Sequence, residues 1–407
     1  MKKLITVLSL STCLVSHALA EFELKWDGAF GFEAGIRHQK KLKGDEKLVS
    51  DFKKSSTLYT EGYVGLEARN NLDNDLSYGA KIVLQTTTKP KTAASLNGSH
   101  IFIQSDMGLI ELGSQHAAGC KMRITEFNIT HGSLAWSRYA YLPKDVSFVV
   151  GSGFAIDQFR TNVPPSEDTE ASRKISYFTP NYKGFSLGIS YIMDSSNGGF
   201  GAAGQKSATK ERIVQVAGGH YLKHELIVRD AFSGGVTYEY DVREDVNIKL
   251  ALTGEFSGKT KPVGLYDNEK CEKDHKVRDL KLKNLRAYNI GGVLNYSNFS
   301  YAASFGSHGK SFTNLEIYKG KLKTNFYSLS AAYEQGPIGA SISYFSSNCR
   351  GNKLKSITFG TDYKLAPGLQ PYFDVSYFQG KGTSLTDNTT VRKVAGTIFV
   401  IGTRLRF

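Results

Sequence analysis

From residue 29 to the C-terminus the chain repeats one pattern: short segments in which every second residue is apolar and the intervening ones are small, polar or charged. A side-chain period of two is that of a β-strand. In residues 29–37, Phe30, Phe32, Ala34 and Ile36 alternate with Ala29, Gly31, Glu33, Gly35 and Arg37. Leu58, Val64 and Leu66 are set against Tyr59, Glu61, Tyr63, Glu67 and Arg69, and Tyr78, Ala80, Ile82 and Leu84 against Gly79, Lys81 and Gln85. Val246, Ile248, Leu250 and Leu252 oppose Asn247, Lys249, Thr253 and Glu255; Ile357, Phe359 and Tyr363 oppose Ser356, Thr358 and Asp362. No run of 18 apolar residues follows residue 20, which excludes helical membrane spans.

In a soluble sandwich the apolar face of such strands is the core; in a membrane barrel it meets lipid. Segments of about ten residues fit a tilted span of hydrocarbon. The connections also alternate in length. Residues 70–75, 105–108, 180–184, 241–245, 334–337 and 364–368 are short; 39–54, 115–172, 195–230, 258–283 and 307–322 are long. Tight turns on one side and long loops on the other predict an all-β fold, a transmembrane antiparallel β-barrel of about 16 strands, an even number. The 41 Gly and 12% aromatic residues, 22 of them Tyr, suit strands with aromatic girdles. No linker divides the 407 residues, so 21–407 reads as one domain.

Residues 1–20 read as a cleaved signal peptide: Lys2 and Lys3, an apolar run from Leu4 to Val15, then Ala18-Leu19-Ala20 as the cleavage site. Export makes one disulfide possible among Cys120, Cys271 and Cys349, all expected in external loops; the sequence does not choose a pair.

At the turns the chain resembles a known family, the trimeric general porins of Gram-negative bacteria, over its whole mature length. Residues 101–113, Ile-Phe-Ile-Gln-Ser-Asp-Met-Gly-Leu-Ile-Glu-Leu-Gly, look like the strand, turn and strand before that family's long third loop. Residues 175–186 are similar to the pattern that follows it, and 362–369 resemble the turn two strands from the end. The last strand ends Ile401-Gly402-Thr403-Arg404-Leu405-Arg406-Phe407, and the terminal Phe407 implies recognition by the barrel-assembly machinery.

The resemblance implies an outer-membrane channel for passive diffusion of small hydrophilic solutes and ions, a homotrimer in contact with lipid and lipopolysaccharide. It also implies that residues 115–172 fold inward and narrow the lumen. Charges at such a waist bias permeant ions without binding them tightly. The acidic candidates are Asp157, Glu167, Asp168 and Glu170; the basic ones, on lumen-facing parity, are Lys81, Lys174, Arg404 and Arg406. Positions at which the best-known members carry constriction arginines hold Leu96, Ser114 and Phe178. Polar residues are expected on the inward parity throughout, which favours an open interior over the alternative, a surface-contact adhesin or scaffold with a plugged lumen.

Removing Lys2 and Lys3 from the 51 bases leaves 49 against 38 acids, a mature charge of +11, carried largely in loops. Spread in this way, without a binding motif, it does not predict a nucleic-acid partner. Residues 199–207 miss a phosphate-binding loop by one residue, Gln205. His116 with Cys120, and Cys271 with His275, lack the four-ligand spacing of a metal site. No catalytic constellation, cofactor or metal is expected, and an outer-membrane hydrolase is the least favoured reading.

Overall fold

A computed structural model describes residues 22–39, 56–72, 75–87, 95–134, 136–143, 145–152, 172–195, 212–216, 218–224, 227–271, 273–318 and 322–407. The first strands are β1 (Glu23–Gln39), β2 (Ser56–Asn71), β3 (Ser77–Thr87), β4 (Ser95–Ser105), β5 (Gly108–Ser114), β6 (Arg173–Phe178) and β7 (Phe185–Asp194). Then come β8 (Arg212–Val216), β9 (His220–His224), β10 (Val228–Arg243), β11 (Val246–Thr260), β12 (Val263–Tyr266), β13 (Lys276–Leu280) and β14 (Arg286–Tyr296). The last are β15 (Phe299–Gly309), β16 (Thr324–Gln335), β17 (Ile338–Cys349), β18 (Asn352–Tyr363), β19 (Leu369–Thr383) and β20 (Val391–Arg406).

Sixteen of these, β1–β7, β10, β11 and β14–β20, form one closed antiparallel barrel. Closure abolishes the free edges that a sheet cannot leave unpaired in lipid. Arg406 lies opposite Ala29 where β20 meets β1, and Gly28 and Phe407 exchange both backbone hydrogen bonds, at 2.9 and 3.1 Å. The terminal phenylalanine therefore completes the seam, its ring stacked 6.2 Å from Phe30.

The burial pattern is that of a water-soluble protein turned inside out. On β16, Tyr327 and Leu329 are 43% and 53% exposed while Ser328 and Ser330 between them are buried. Inside, hydroxyls pair across the strands: Ser176 with Ser190, Ser304 with Ser328, Ser330 with Ser343, and Thr358 with Ser376, at 2.7–2.8 Å. Outside, Leu250, Leu252, Ile290, Ile342 and Phe359 join an apolar surface far larger than water tolerates. Aromatic pairs border it at both ends, Phe185–Tyr238 and Phe299–Tyr333 near the short turns, Tyr191–Phe232 and Tyr327–Tyr344 toward the long connections. Phe232 and Tyr238 are six residues apart on β10, about 20 Å along the strand, close to the height of a lipid-facing band.

Two findings differ from the sequence reading. The connections 195–230 and 258–283 are more than loops: β13, β12, β9 and β8 make a separate four-stranded sheet. Leu222, Val263, Leu265 and Leu280 of that sheet share a core with Leu285, just before β14, and with Phe312 and Leu385 from other connections. Strands of four or five residues carry too little alternation to register, and here the shared core makes them. The inward parity is also not polar throughout. Phe326, Phe345, Leu354, Phe378, Val394, Ile398 and Val400, on β16–β20, point inside and are buried there.

Candidate functional site

What covers those apolar side chains is the long connection after β5, which enters the barrel as a strap along its inner wall. It starts as a short helix, Ala118–Lys121, whose free N–H groups are taken up by the wall: Ala118 donates to Ser190 Oγ at 2.8 Å and Gly119 to Ser233 Oγ at 3.1 Å. Thr125 and Asn128 close a capping box around the 3-10 turn Glu126–Asn128. His131 N–H then donates to Ser341 Oγ, and its ring lies 3.0 Å from Asp362. Ser133 donates both N–H and hydroxyl to Asp374 at 2.8 Å.

The strap next crosses to the seam. Arg138 bridges Glu33 at 3.0 Å and Glu61 at 2.8 Å, and Tyr141 exchanges two hydrogen bonds with Gln39. It then turns back over β20, β18 and β17, with Asp145 on Arg392 at 3.2 Å, Ser147 O accepting from Asn352, and Val149 O from Ser347.

The wall leaves a track for this path. A Cβ at Gly291 would lie 2.0 Å from Ile124 O, and one at Gly339 would lie 2.0 Å from the His131 ring. At Gly291 the strap backbone approaches so closely that only glycine fits. Along β16–β20 the track becomes apolar: Trp136 stacks on Phe378 at 4.9 Å, and Leu142, Val146 and Phe148 join the same core. Each fully buried side chain of this size contributes ~1.5–3 kcal/mol, comparable to the ~1–2 kcal/mol that ordering a residue costs.

Water-accessible space remains around the segment Lys121–His131. Three cavities of about 600, 420 and 330 Å³ flank it, and Asn128 borders all three. The largest lies on the short-turn side. The second is lined by Cys120, Arg123, Phe127 and Arg138, and the third by Lys121, Arg123, Phe178 and Lys249. Burial works against the Arg138 charge, but the Glu61 and Glu33 carboxylates outweigh it and hold the guanidinium's pKa above its ordinary value. Glu126, buried beside Ser328 and Ser152, has its carboxyl raised by that burial.

Asp157, Glu167, Asp168 and Glu170 lie outside the described residues. Lys81 is on β3, 2.6 Å from Asp27. Lys174 is buried at the root of the strap, its ammonium donating to Ser172 O at 2.8 Å and to Gln115 O. Arg404 donates to Gly132 O at 3.1 Å, beneath the strap, and Arg406 lines the short-turn cavity with it. The four bases are thus distributed over three places. Of the positions named for missing arginines, Phe178 has Lys121 Nζ 5.2 Å over its ring, while Ser114 is buried on β5. Cys120 lies on the strap inside the barrel and not in an external loop, while Cys271 and Cys349 are buried. Sequence reading missed Arg138, His131 and Lys121. The partners of Arg138 and His131, which are Glu33, Glu61 and Asp362, were visible as charges on the polar parity; Lys121 pairs instead with Glu111 of β5.

In the family comparison, residues 6–383 fit the family described as Gram-negative porin. The chain belongs to the Gram-negative porins. Its barrel is therefore an outer-membrane barrel, and its fold and family point to a channel rather than an enzyme. Among its relatives are proteins of Rickettsia felis, 37% identical over the full length of both chains, and Rickettsia bellii, 39% identical over 95% of this porin and 93% of the relative; both are described only as uncharacterized protein. Among solved structures, a variant of the Rhodopseudomonas blastica porin and the anion-selective porin from Comamonas acidovorans each superpose with a TM-score of 0.56, covering 95% of this chain and 100% of theirs. At 12% and 15% identity these likenesses establish the fold.

Proposed function

We propose that this porin is a passive diffusion channel for small hydrophilic solutes and ions, with a water path displaced to one side of the barrel. The observation that carries the reading is the strap itself: it is bonded along the inner wall and bordered by polar cavities, so it narrows a lumen whose remaining lining is hydrated. Lys121, Arg123 and Arg138 supply positive charge at the waist, and Asp157, Glu167, Asp168 and Glu170, further along the same connection, supply negative charge. Lys81, Lys174, Arg404 and Arg406 act from the wall. Residues 1–20 are removed on export, Phe407 is read by the barrel-assembly machinery, and three copies assemble among lipid and lipopolysaccharide.

One observation favours the second reading, a surface-contact barrel with a plugged lumen. The apolar core between β16–β20 and the strap seals that side of the interior as a soluble protein's core would. Swelling of proteoliposomes in isosmotic pentose, stachyose or raffinose separates the two. A diffusion channel admits the pentose faster than the larger sugars, whereas a plugged barrel admits none of them.

A further inference from the structure

We infer that the short-turn cavity beneath the strap is a binding site for small oxyanions, held by the guanidiniums of Arg404 and Arg406. The inference deepens the channel reading, since the lumen is what would deliver a solute there. At about 600 Å³ the cavity has the size of a small-molecule pocket. It is bounded by the barrel wall and roofed by the strap at Asn128, Thr130 and His131.

The argument is one of charge left over. Three carboxylates line this cavity, and each already has a partner beside it. Glu239 pairs with Lys249 at 3.2 Å, Glu334 with Lys364, and Asp362 with the His131 ring at 3.0 Å. Neither arginine has a direct ion pair among the described residues; Arg404 feels Asp374 only through space, and that buried carboxylate is already bonded by Ser133. Arg404 donates one N–H to the neutral carbonyl of Gly132, at 3.1 Å, and lies 5.3 Å over the Tyr372 ring, so its carbon atoms are fixed while other donors stay available. The Arg406 side chain is exposed and has no hydrogen bond or ion pair among the described residues.

The two side chains are also placed to act on one ligand. Residues 404 and 406 share the inward face of β20, about 7 Å apart along the strand. That spacing lets two planar forks converge on one phosphate or carboxylate, or on the two ends of a small dianion, by charge-assisted hydrogen bonds. Strap and strand hold Arg404 in place before any ligand arrives, which lowers its share of the ordering cost of binding.

The test is calorimetric titration of sodium pyrophosphate, and separately of sodium succinate, into the detergent-solubilised full-length mature protein at low salt. Saturable binding of either anion is expected, about tenfold or more weaker in Arg406→Gln and weaker still with Arg404→Gln added. Arg243→Gln, which removes a base paired at 3.7 Å with Asp245 on a neighbouring turn, is expected to bind as the unaltered chain does. Binding that is absent for both anions, or equal in all variants, overturns the site; heat-modifiable gel mobility verifies that each variant is folded. In a planar bilayer the bound anion should reduce current when added on the short-turn side. A protein that binds but never conducts keeps the site and removes the channel.

Discussion

Arg138, carried into the barrel on the strap, meets Glu33 of β1 at 3.0 Å across 105 positions of sequence. Glu33 is buried and also accepts from the Tyr372 hydroxyl at 2.9 Å, so one carboxylate ties together strap, first strand and penultimate strand. Arg138→Ala would leave that buried carboxylate without its cation. The expected loss is about 2–3 kcal/mol, less than that of a fully buried pair because the guanidinium is about a quarter exposed. Urea unfolding in micelles measures it, and limited proteolysis should cut the strap faster in the variant. Unchanged unfolding and cleavage would show that the clasp does not hold the strap.

The glycine track makes a steric prediction. Gly291→Val places a branched side chain where the Ile124 carbonyl O and C already lie 2.0 and 2.9 Å from the Cβ position. Overpacking of this kind costs ~1–3 kcal/mol. The strap should lift from β14, seen as faster deuterium uptake by the amides of residues 122–130. Wild-type exchange in the variant would contradict the close approach.

Glu126 gives a pH dependence. Because burial raises its carboxyl above the ordinary value, the folded chain holds that proton more tightly than the unfolded chain does. The ionised form therefore weakens the fold above the folded-state pKa, and the penalty is relieved as pH falls through that value toward the ordinary carboxylate range. Glu126→Gln is expected to raise the melting midpoint at neutral pH, with the difference shrinking on acidification. A variant that melts lower than the unaltered chain at neutral pH would contradict this.

Thiol labelling reports which side of the wall each cysteine occupies. Cys120 borders a cavity with Arg123 and Arg138, whereas Cys271 and Cys349 are buried. A charged maleimide should label Cys120 in the folded protein and the other two only after unfolding. Labelling of all three at one rate would contradict the placement.

The barrel was legible in the sequence because lipid and lumen impose opposite chemistry on alternate residues, as Ser356 and Ile357 illustrate. The strap was legible only as a long connection. Its contacts are single residues: a serine at 190, a glycine at 291, an arginine at 138, none marked by periodicity. The apolar core was hidden for a related reason. Phe326 and Tyr327, or Phe378 and Tyr377, are large on both parities, so the alternation that gives a strand its faces is silent there. Lys81 and Lys174 were assigned by parity alone, which finds the face of a residue and not its neighbours: an aspartate at 27 for one, backbone carbonyls for the other.

The central claim is that water and ions pass the strap. Single-channel recording of the refolded mature protein in a planar bilayer, under a salt gradient, tests it most directly. Stepwise open-pore conductance is predicted, with a reversal potential that moves toward anion preference when Asp157, Glu167, Asp168 and Glu170 are neutralised together. A folded, heat-modifiable barrel that inserts and conducts nothing would contradict the claim and make the apolar core a plug.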